Sequence, residues 1–274
     1  MTRYPLFVLL MLCAALARAD EGPRWEIGAG LAALNLPHYR GADQRSSFLL
    51  PMPYLIYRGE HLRADREGVR GILFEAERVQ VNLSVNGTLP VKSSDNAARS
   101  GMDSLRPTVQ LGPTLNMALW RSDDRSSKLE FRLPLRSSVT VASSPRHIGW
   151  LVEPTLAFSR RDMRDWPGWQ TRLSAGLLFA DARYHDYFYS VDAPYATADR
   201  PAYQASSGYS GAHLTWTLTK RFPQYWIGTF VRYDTLAGAV IDSSPLVRQR
   251  QNVSAGFAFA WIFGRSSERV RIAD

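Results

Sequence analysis

The sequence predicts an all-β chain folded as a transmembrane antiparallel β-barrel of about twelve strands, with ten or fourteen as alternatives. Three observations carry this expectation. Apolar and polar residues alternate with a period of two through most of the chain, and helical spacing is hard to find. Several alternating segments run about 10 to 12 residues, close to the roughly 9 to 11 that a tilted strand needs to cross a bilayer, whereas strands of soluble domains run about 5 to 6. An export leader precedes them all.

The leader comes first. Arg3 gives a positive start, residues 5–16 form an apolar stretch, and Ala17-Arg18-Ala19 is an A-x-A cleavage site, so residues 1–19 read as a cleaved signal peptide and Asp20 as the mature N-terminus. Residues 20–274 then form one domain with a short polar tail at 264–274. Cys13 leaves with the leader, which removes disulfides, thiolate metal sites and cysteine nucleophiles together. Nothing later approaches the roughly 20 apolar residues of a spanning helix. At 45% hydrophobic and 21% charged residues, the chain is too apolar for disorder. Its formal charge is +8, from 33 basic and 25 acidic residues, and losing Arg3 and Arg18 lowers it to +6. An exported chain rarely meets nucleic acid, so that excess points to lipopolysaccharide phosphates or an anionic glycan.

Strands are expected near 24–34, 48–58, 60–65, 69–75, 78–89, 105–119, 128–141, 149–160, 169–180, 211–222, 225–236 and 252–263. In the fifth, Val79, Val81, Leu83 and Val85 alternate with Gln80, Asn82, Ser84 and Asn86; in the last, Phe257, Phe259, Trp261 and Phe263 alternate with Gly256, Ala258 and Ala260. A soluble barrel would turn the apolar face inward and a membrane barrel outward. Strand length and the leader decide for the membrane. The polar face then lines the lumen and carries Arg106, Glu130, Arg132, Arg136, Arg172 and Arg232. With the N-terminus in the periplasm, the long connections 35–47, 90–104, 142–148, 181–210 and 237–251 share one outer end, and the opposite turns are short. This is the asymmetry of outer-membrane barrels, although the short third and fourth strands break it. Trp25, Trp120, Trp166, Trp169, Trp226 and Trp261 fall near one rim, as an aromatic girdle would. Ser254, Gly256, Phe259 and Trp261 fit the polar-x-Gly-x-x-aromatic-x-aromatic pattern of a barrel insertion signal, followed here by a polar tail.

Three stretches carry a family likeness. Tyr39-Arg40-Gly41-Ala42-Asp43 leads to Pro51-Met52-Pro53-Tyr54 and to Leu62-Arg63-Ala64-Asp65-Arg66-Glu67-Gly68. Residues 184–191 continue to Pro201-Ala202-Tyr203-Gln204-Ala205 and Gly208-Tyr209. Ser243-Ser244-Pro245-Leu246-Val247 then runs into the last strand. With these the chain resembles the MltA-interacting protein (MipA/OmpV) family of outer-membrane proteins. The resemblance implies an outer-membrane barrel in the Gram-negative envelope. For some members it implies a scaffold joining a lytic transglycosylase to a bifunctional murein synthase; others resemble adhesins or antibiotic-responsive proteins.

No catalytic, metal or cofactor site is expected. His38, His147 and His185 fall in outer connections, His61 starts a short strand, and His213 shares a face with Thr215 and Thr217. A nucleophile needs a base within reach and a third group to orient it, and no such trio can be named. Asp123-Asp124 reads as turn chemistry, and Gly28-x-Gly30 as barrel packing. The most unusual composition is at 184–209: Tyr184, Tyr187, Phe188, Tyr189, Tyr195, Tyr203 and Tyr209. These rings suit a ligand-contacting surface loop. The favoured alternative is a loop folded over the barrel mouth with its tyrosines packed together, because a 30-residue loop needs its own core. The leading expectation is therefore a non-enzymatic scaffold, with a channel or ligand sensor second and a lipid-modifying enzyme resting on His213 third.

Overall fold

The computed structural model describes residues 21–65, 68–163 and 166–271; the expected leader lies outside the described residues. Alternation becomes strand in β1 (Glu21–Pro23), β2 (Trp25–Pro37), β3 (Arg45–Arg58), β4 (Leu62–Asp65), β5 (Gly68–Glu75), β6 (Val79–Thr88), β7 (Thr108–Arg121) and β8 (Ser127–Thr140). It continues in β9 (His147–Val152), β10 (Thr155–Met163), β11 (Trp166–Ala180), β12 (Gly208–Arg221), β13 (Tyr225–Thr235), β14 (Gln251–Arg265) and β15 (Arg269–Arg271). Neighbours pair antiparallel, and β14 closes onto β2 with Phe259 opposite Leu31. The stretch expected as one strand at 149–160 is broken at Glu153-Pro154, since proline has no N–H for the ladder. Its halves β9 and β10 both pair with β8 and with β11, and so act as one stave. The wall is thus a closed barrel of twelve staves.

The two faces separate as a bilayer requires. Phe257, Phe259, Trp261 and Phe263 on β14 are exposed outward, while Ser254, Ala260 and Ile262 are buried. Leu83 and Val85 on β6 lie outside, against buried Asn82 and Ser84. An apolar exterior around a polar interior inverts a soluble barrel, so this is a transmembrane barrel. Gly28 and Gly30 allow β2 to approach the β14 backbone so closely that a Cβ would meet the carbonyl oxygens of Trp261 and Phe259. In the 122–126 turn, Ser122 Oγ (2.6 Å) and the Ser126 N–H (3.0 Å) donate to the Asp124 carboxylate. Those bonds lower its pKa to about 2.

One correction concerns the rim. Trp226 does not join an outer girdle. It packs inward 6.2 Å from the Tyr54 ring, beside the buried Ala260 and Ile262, because its side-chain parity is that of Arg232 and Asp234. Past the last aromatic, Gly264 and Arg265 remain in β14, and β15 pairs with β1.

One section of wall is thin. β4 pairs with β3 only at Tyr57–Ala64 and Arg58–Arg63, leaving the rest of that β3 edge without a ladder partner among the described residues. Pro51 and Pro53 lie on that stretch and carry no N–H, and prolines within sheets are confined to such edges. The principal hydrophobic core lies at the loop-rich end, where four connections pack into a lid against Ile148 and Leu151 of β9 and Leu178 and Ala180 of β11.

Candidate functional site

The lid is assembled from residues far apart in sequence. Tyr39, Ala42, Val91, Leu105, Phe188, Tyr189, Leu236, Ile241 and Leu246 are all buried in one cluster. Its scaffold is helix α1 (Ala182–Tyr189), which the period-two reading did not foresee. Asp181 caps it, its carboxylate accepting from Tyr184 N–H at 2.8 Å. Gly149, at a φ of +123°, lies against this cap, and a side chain there would strike Asp181 and Tyr184. The tyrosine-rich loop is therefore divided. Tyr184, Phe188 and Tyr189 are buried, and Tyr187, Tyr203, Tyr209 and Tyr195, the last from a short 3-10 turn, pack partly buried against the cluster.

The quoted family stretches converge here. Tyr39 donates its hydroxyl to the Leu246 carbonyl (2.8 Å), Tyr189 to the Arg40 carbonyl (3.0 Å), and Ser244 to the Tyr189 carbonyl (2.6 Å). Two arginines stitch the lid without carboxylates. Arg99 donates to the carbonyls of Phe188 (3.0 Å) and Asp103 (3.3 Å), and Arg200 to those of Tyr195, Ala98 and Ser100. Burial lowers the pKa of Arg99 and raises those of Tyr39 and Tyr184 to about 12. His185 is fully buried and His38 partly so, and burial lowers both pKa values.

Below the lid lies a charged layer of the lumen. Arg232 meets Asp234 at 2.9 Å, Arg40 reaches the same carboxylate at 3.0 Å, and Arg232 and Arg136 each stand 3.7 Å from Glu153. His213 sits 3.3 Å from Glu153 without hydrogen-bond geometry at Nδ1, and among the described residues no hydroxyl hydrogen-bonds its ring. A His–carboxylate pair is thus present without a hydrogen-bonded nucleophile among the described residues. Deeper, Glu130 links Lys128 (2.9 Å) to Arg172 (3.5 Å), and Arg132 donates to Asn116 at 3.0 Å. Five of the six expected lumen charges thus line the interior.

Arg106 does not. It is exposed at the loop-rich mouth, where its N–H donates to the Tyr187 hydroxyl at 2.7 Å. The bridge between Val91 and Leu105 ends the alternation early, so β7 begins at Thr108 and Arg106 belongs to the lid. Arg40, Glu153 and Asp234 were missed. Asp234 was legible two positions after Arg232 on one strand face, whereas Arg40 arrives from a loop with no periodic signal. Of the insertion pattern, Ser254 and Gly256 face inward, and Phe259 and Trp261 outward. Gly256 leaves the space that Phe230 and Leu34 fill.

The description "MltA-interacting protein MipA" matches residues 29–263, nearly the whole chain. The chain belongs to the MltA-interacting protein MipA family. The match begins inside β2 and ends inside β14, so the MipA family region takes in every stave of the wall and the whole lid. A comparison with curated proteins finds no match. Among solved structures, this MipA family member is similar to a bacterial polysaccharide outer membrane secretin, at 8% identity and a TM-score of 0.45, covering 87% of this chain and 99% of that one. It is also similar to the CymD monoaromatic hydrocarbon channel, at 9% identity and a TM-score of 0.35, covering 88% and 89%.

Proposed function

We propose that this protein is a non-enzymatic anchor in the outer membrane, holding a murein-remodelling enzyme at its short-turn, periplasmic rim. The observation that carries this reading is the family match over residues 29–263, whose description names interaction with MltA, a lytic transglycosylase. The packed lid supports it, because a barrel whose mouth is filled by its own hydrophobic cluster is better suited to holding a partner than to conducting solutes. The short-turn rim offers polar contacts: the β1–β15 ribbon with Arg24 bonded to Glu268 at 2.9 Å, and the 122–126 turn. A bifunctional murein synthase would join as a third component, and lipopolysaccharide would surround the lid.

The test is photocrosslinking in intact envelopes from the rim positions Arg24 and Asp123. Capture of a lytic transglycosylase from both positions, and from neither of two lid positions, supports the anchor. Repeated absence of any murein enzyme from the rim crosslinks would reject it.

A further inference from the structure

The thin section of wall opens onto the space beneath the lid. From Arg45 to Pro53, β3 pairs with β2 alone among the described residues. Across the gap, the β5 ladder on β6 ends at Ser84, and Val85–Thr88 pair only with β7. At the β4–β5 hairpin the two strands stand three ladder steps apart, about 14 Å, and they do not pair with each other above it. The inner face of β6 records the gap. Asn82 and Ser84 are buried there, but Asn86, next on the same face, is exposed. Loops close the gap at its outer end, where Asn96 lies 3.0 Å from the His38 ring and the Ala97 N–H donates to the Gln44 side chain.

This gap lies at the level of the apolar exterior. Leu49 on the open edge pairs with Ala33, and Ala33 with Phe257. Leu49, Val85 and Phe257 are all exposed. Sheet edges facing hydrocarbon do not occur unless they are covered or line a cavity. Pro51 and Pro53 share one parity, so both remove a donor from the same side of β3, the side without a ladder. An edge thinned in this way is a poor template for another strand.

A cavity of about 460 Å³ lies behind the gap. Phe48 of β3 and residues 86–90 line it at the gap, and Leu105, Phe188 and Tyr189 line it from the lid. Its charged groups are two arginines and two carboxylates, already matched. Asp234 lies 3.0 Å from Arg40 and 2.9 Å from Arg232, and Glu153 lies 3.7 Å from Arg232. A charged ligand would lose its hydration and break one of these pairs. An uncharged hydroxyl can hydrogen-bond to the carboxylates without that cost. The volume is within the range of small-molecule sites, roughly 300–1,000 Å³.

We propose that the gap between β3 and β6 is a lateral window, admitting an uncharged single-chain amphiphile from the lid-side leaflet into this cavity. Its alkyl chain lies along Phe48 and Leu105, and its hydroxyl points toward Glu153 and Asp234. The site is separate from the rim that holds a partner and does not depend on it.

The test uses the intact barrel in lipid nanodiscs and a dodecanol carrying a photoactivatable diazirine on its chain, with labelled residues read by peptide mass spectrometry. The expected result is saturable labelling of Phe48, Leu105 or Phe188 that excess 1-dodecanol displaces. Dodecanesulfonate and dodecyltrimethylammonium, at equal concentration in the membrane, should displace it roughly tenfold less well. The described residues contain no cysteine, so a Leu49→Cys, Asn86→Cys variant can be joined across the window by a reversible bis-methanethiosulfonate linker. Joining should cut interior labelling several-fold, reduction should restore it, and labelling of lipid-facing Phe257 should not change. Heat-modifiable migration reports folding. Should the double variant not fold, the labelling pattern and the charge series on the unaltered protein still decide. Labelling confined to lipid-facing residues, equal displacement by all three competitors, or interior labelling unchanged by the linker would overturn the proposal. So would quantitative disulfide dimers of a Leu49→Cys variant, which would place a second copy on the β3 edge.

Discussion

His185 and Ser210 meet at 2.9 Å inside the lid, tying helix α1 to the start of β12. The second ring nitrogen fixes the tautomer. Nδ1 lies 2.6 Å from the Ser206 carbonyl, which can only accept, so Nδ1 carries the proton and Nε2 accepts from the Ser210 hydroxyl. The arrangement is made for a neutral imidazole, and protonation would set a second donor against it.

The pH dependence follows in sign. Burial lowers the folded-state pKa of His185 below its ordinary 6.5, and that of His38 in the same direction. Above 6.5 both folded and unfolded lid hold these rings neutral, and the full stability is present. As pH falls through 6.5 and below, the unfolded form takes up protons first and that stability is lost. Limited proteolysis of the 190–207 segment should therefore quicken several-fold between pH 7.5 and pH 5.5. A His38→Asn, His185→Asn variant should show a flatter profile. A wild-type rate independent of pH across that interval would contradict the tautomer assignment.

The charged layer under the lid gives a second prediction. Asp234 is 4% exposed and is the carboxylate shared by Arg40 and Arg232. Removing it leaves two cations without their buried counter-charge, and breaking such a pair costs about 3–5 kcal/mol. Asp234→Ala should lower the temperature at which the heat-modifiable folded form is lost and should release the 38–44 connection to protease. Unchanged thermal stability in Asp234→Ala would show that the layer is solvated rather than structural.

The outer and inner faces are tested by adjacent residues on β14. Phe259 faces outward opposite Leu31, and Ala258 faces the lumen cavity. Arginine at mid-membrane on the lipid face of a barrel costs roughly 2–4 kcal/mol. Phe259→Arg should therefore strip most membrane-inserted protein from the envelope, while Ala258→Arg, directed into a hydrated cavity, leaves a measurable share. Equal tolerance of both would contradict a lipid-facing strand, and greater damage from Ala258→Arg would reverse inside and outside.

The staves were legible because each residue of a membrane strand has one of two environments, so Leu83 and Ser84 announce their faces from sequence alone. The lid was legible only as a quantity of tyrosine. Its core joins Tyr39, Val91, Leu105, Phe188 and Leu246, which share no period and no element, and nothing in local sequence shows that four connections meet. Helix α1 escaped notice because eight residues beginning at a capping aspartate are too few to establish a 3.6-residue repeat against aromatic composition. Arg106 misled for a related reason. Alternation ran unbroken from Leu105, but Leu105 is buried in the lid and not set toward lipid. The lumen charges on β8, β11 and β13 followed from parity, while their partners Arg40 and Glu153 came from a loop and from a proline-broken strand.

The account rests on the lid closing the barrel. The measurement that tests it most directly is single-channel recording in planar bilayers, comparing the full protein with a variant in which residues 184–206 are replaced by a short Gly/Ser linker. Removing that segment takes away Tyr184, Phe188 and Tyr189, the centre of the buried cluster, while leaving every stave of the wall intact. The full protein should insert without stepwise conductance, and the variant should show discrete openings. Stable openings from the full protein, at the frequency and size of the variant's, would contradict a closing lid and return the barrel to the class of open channels.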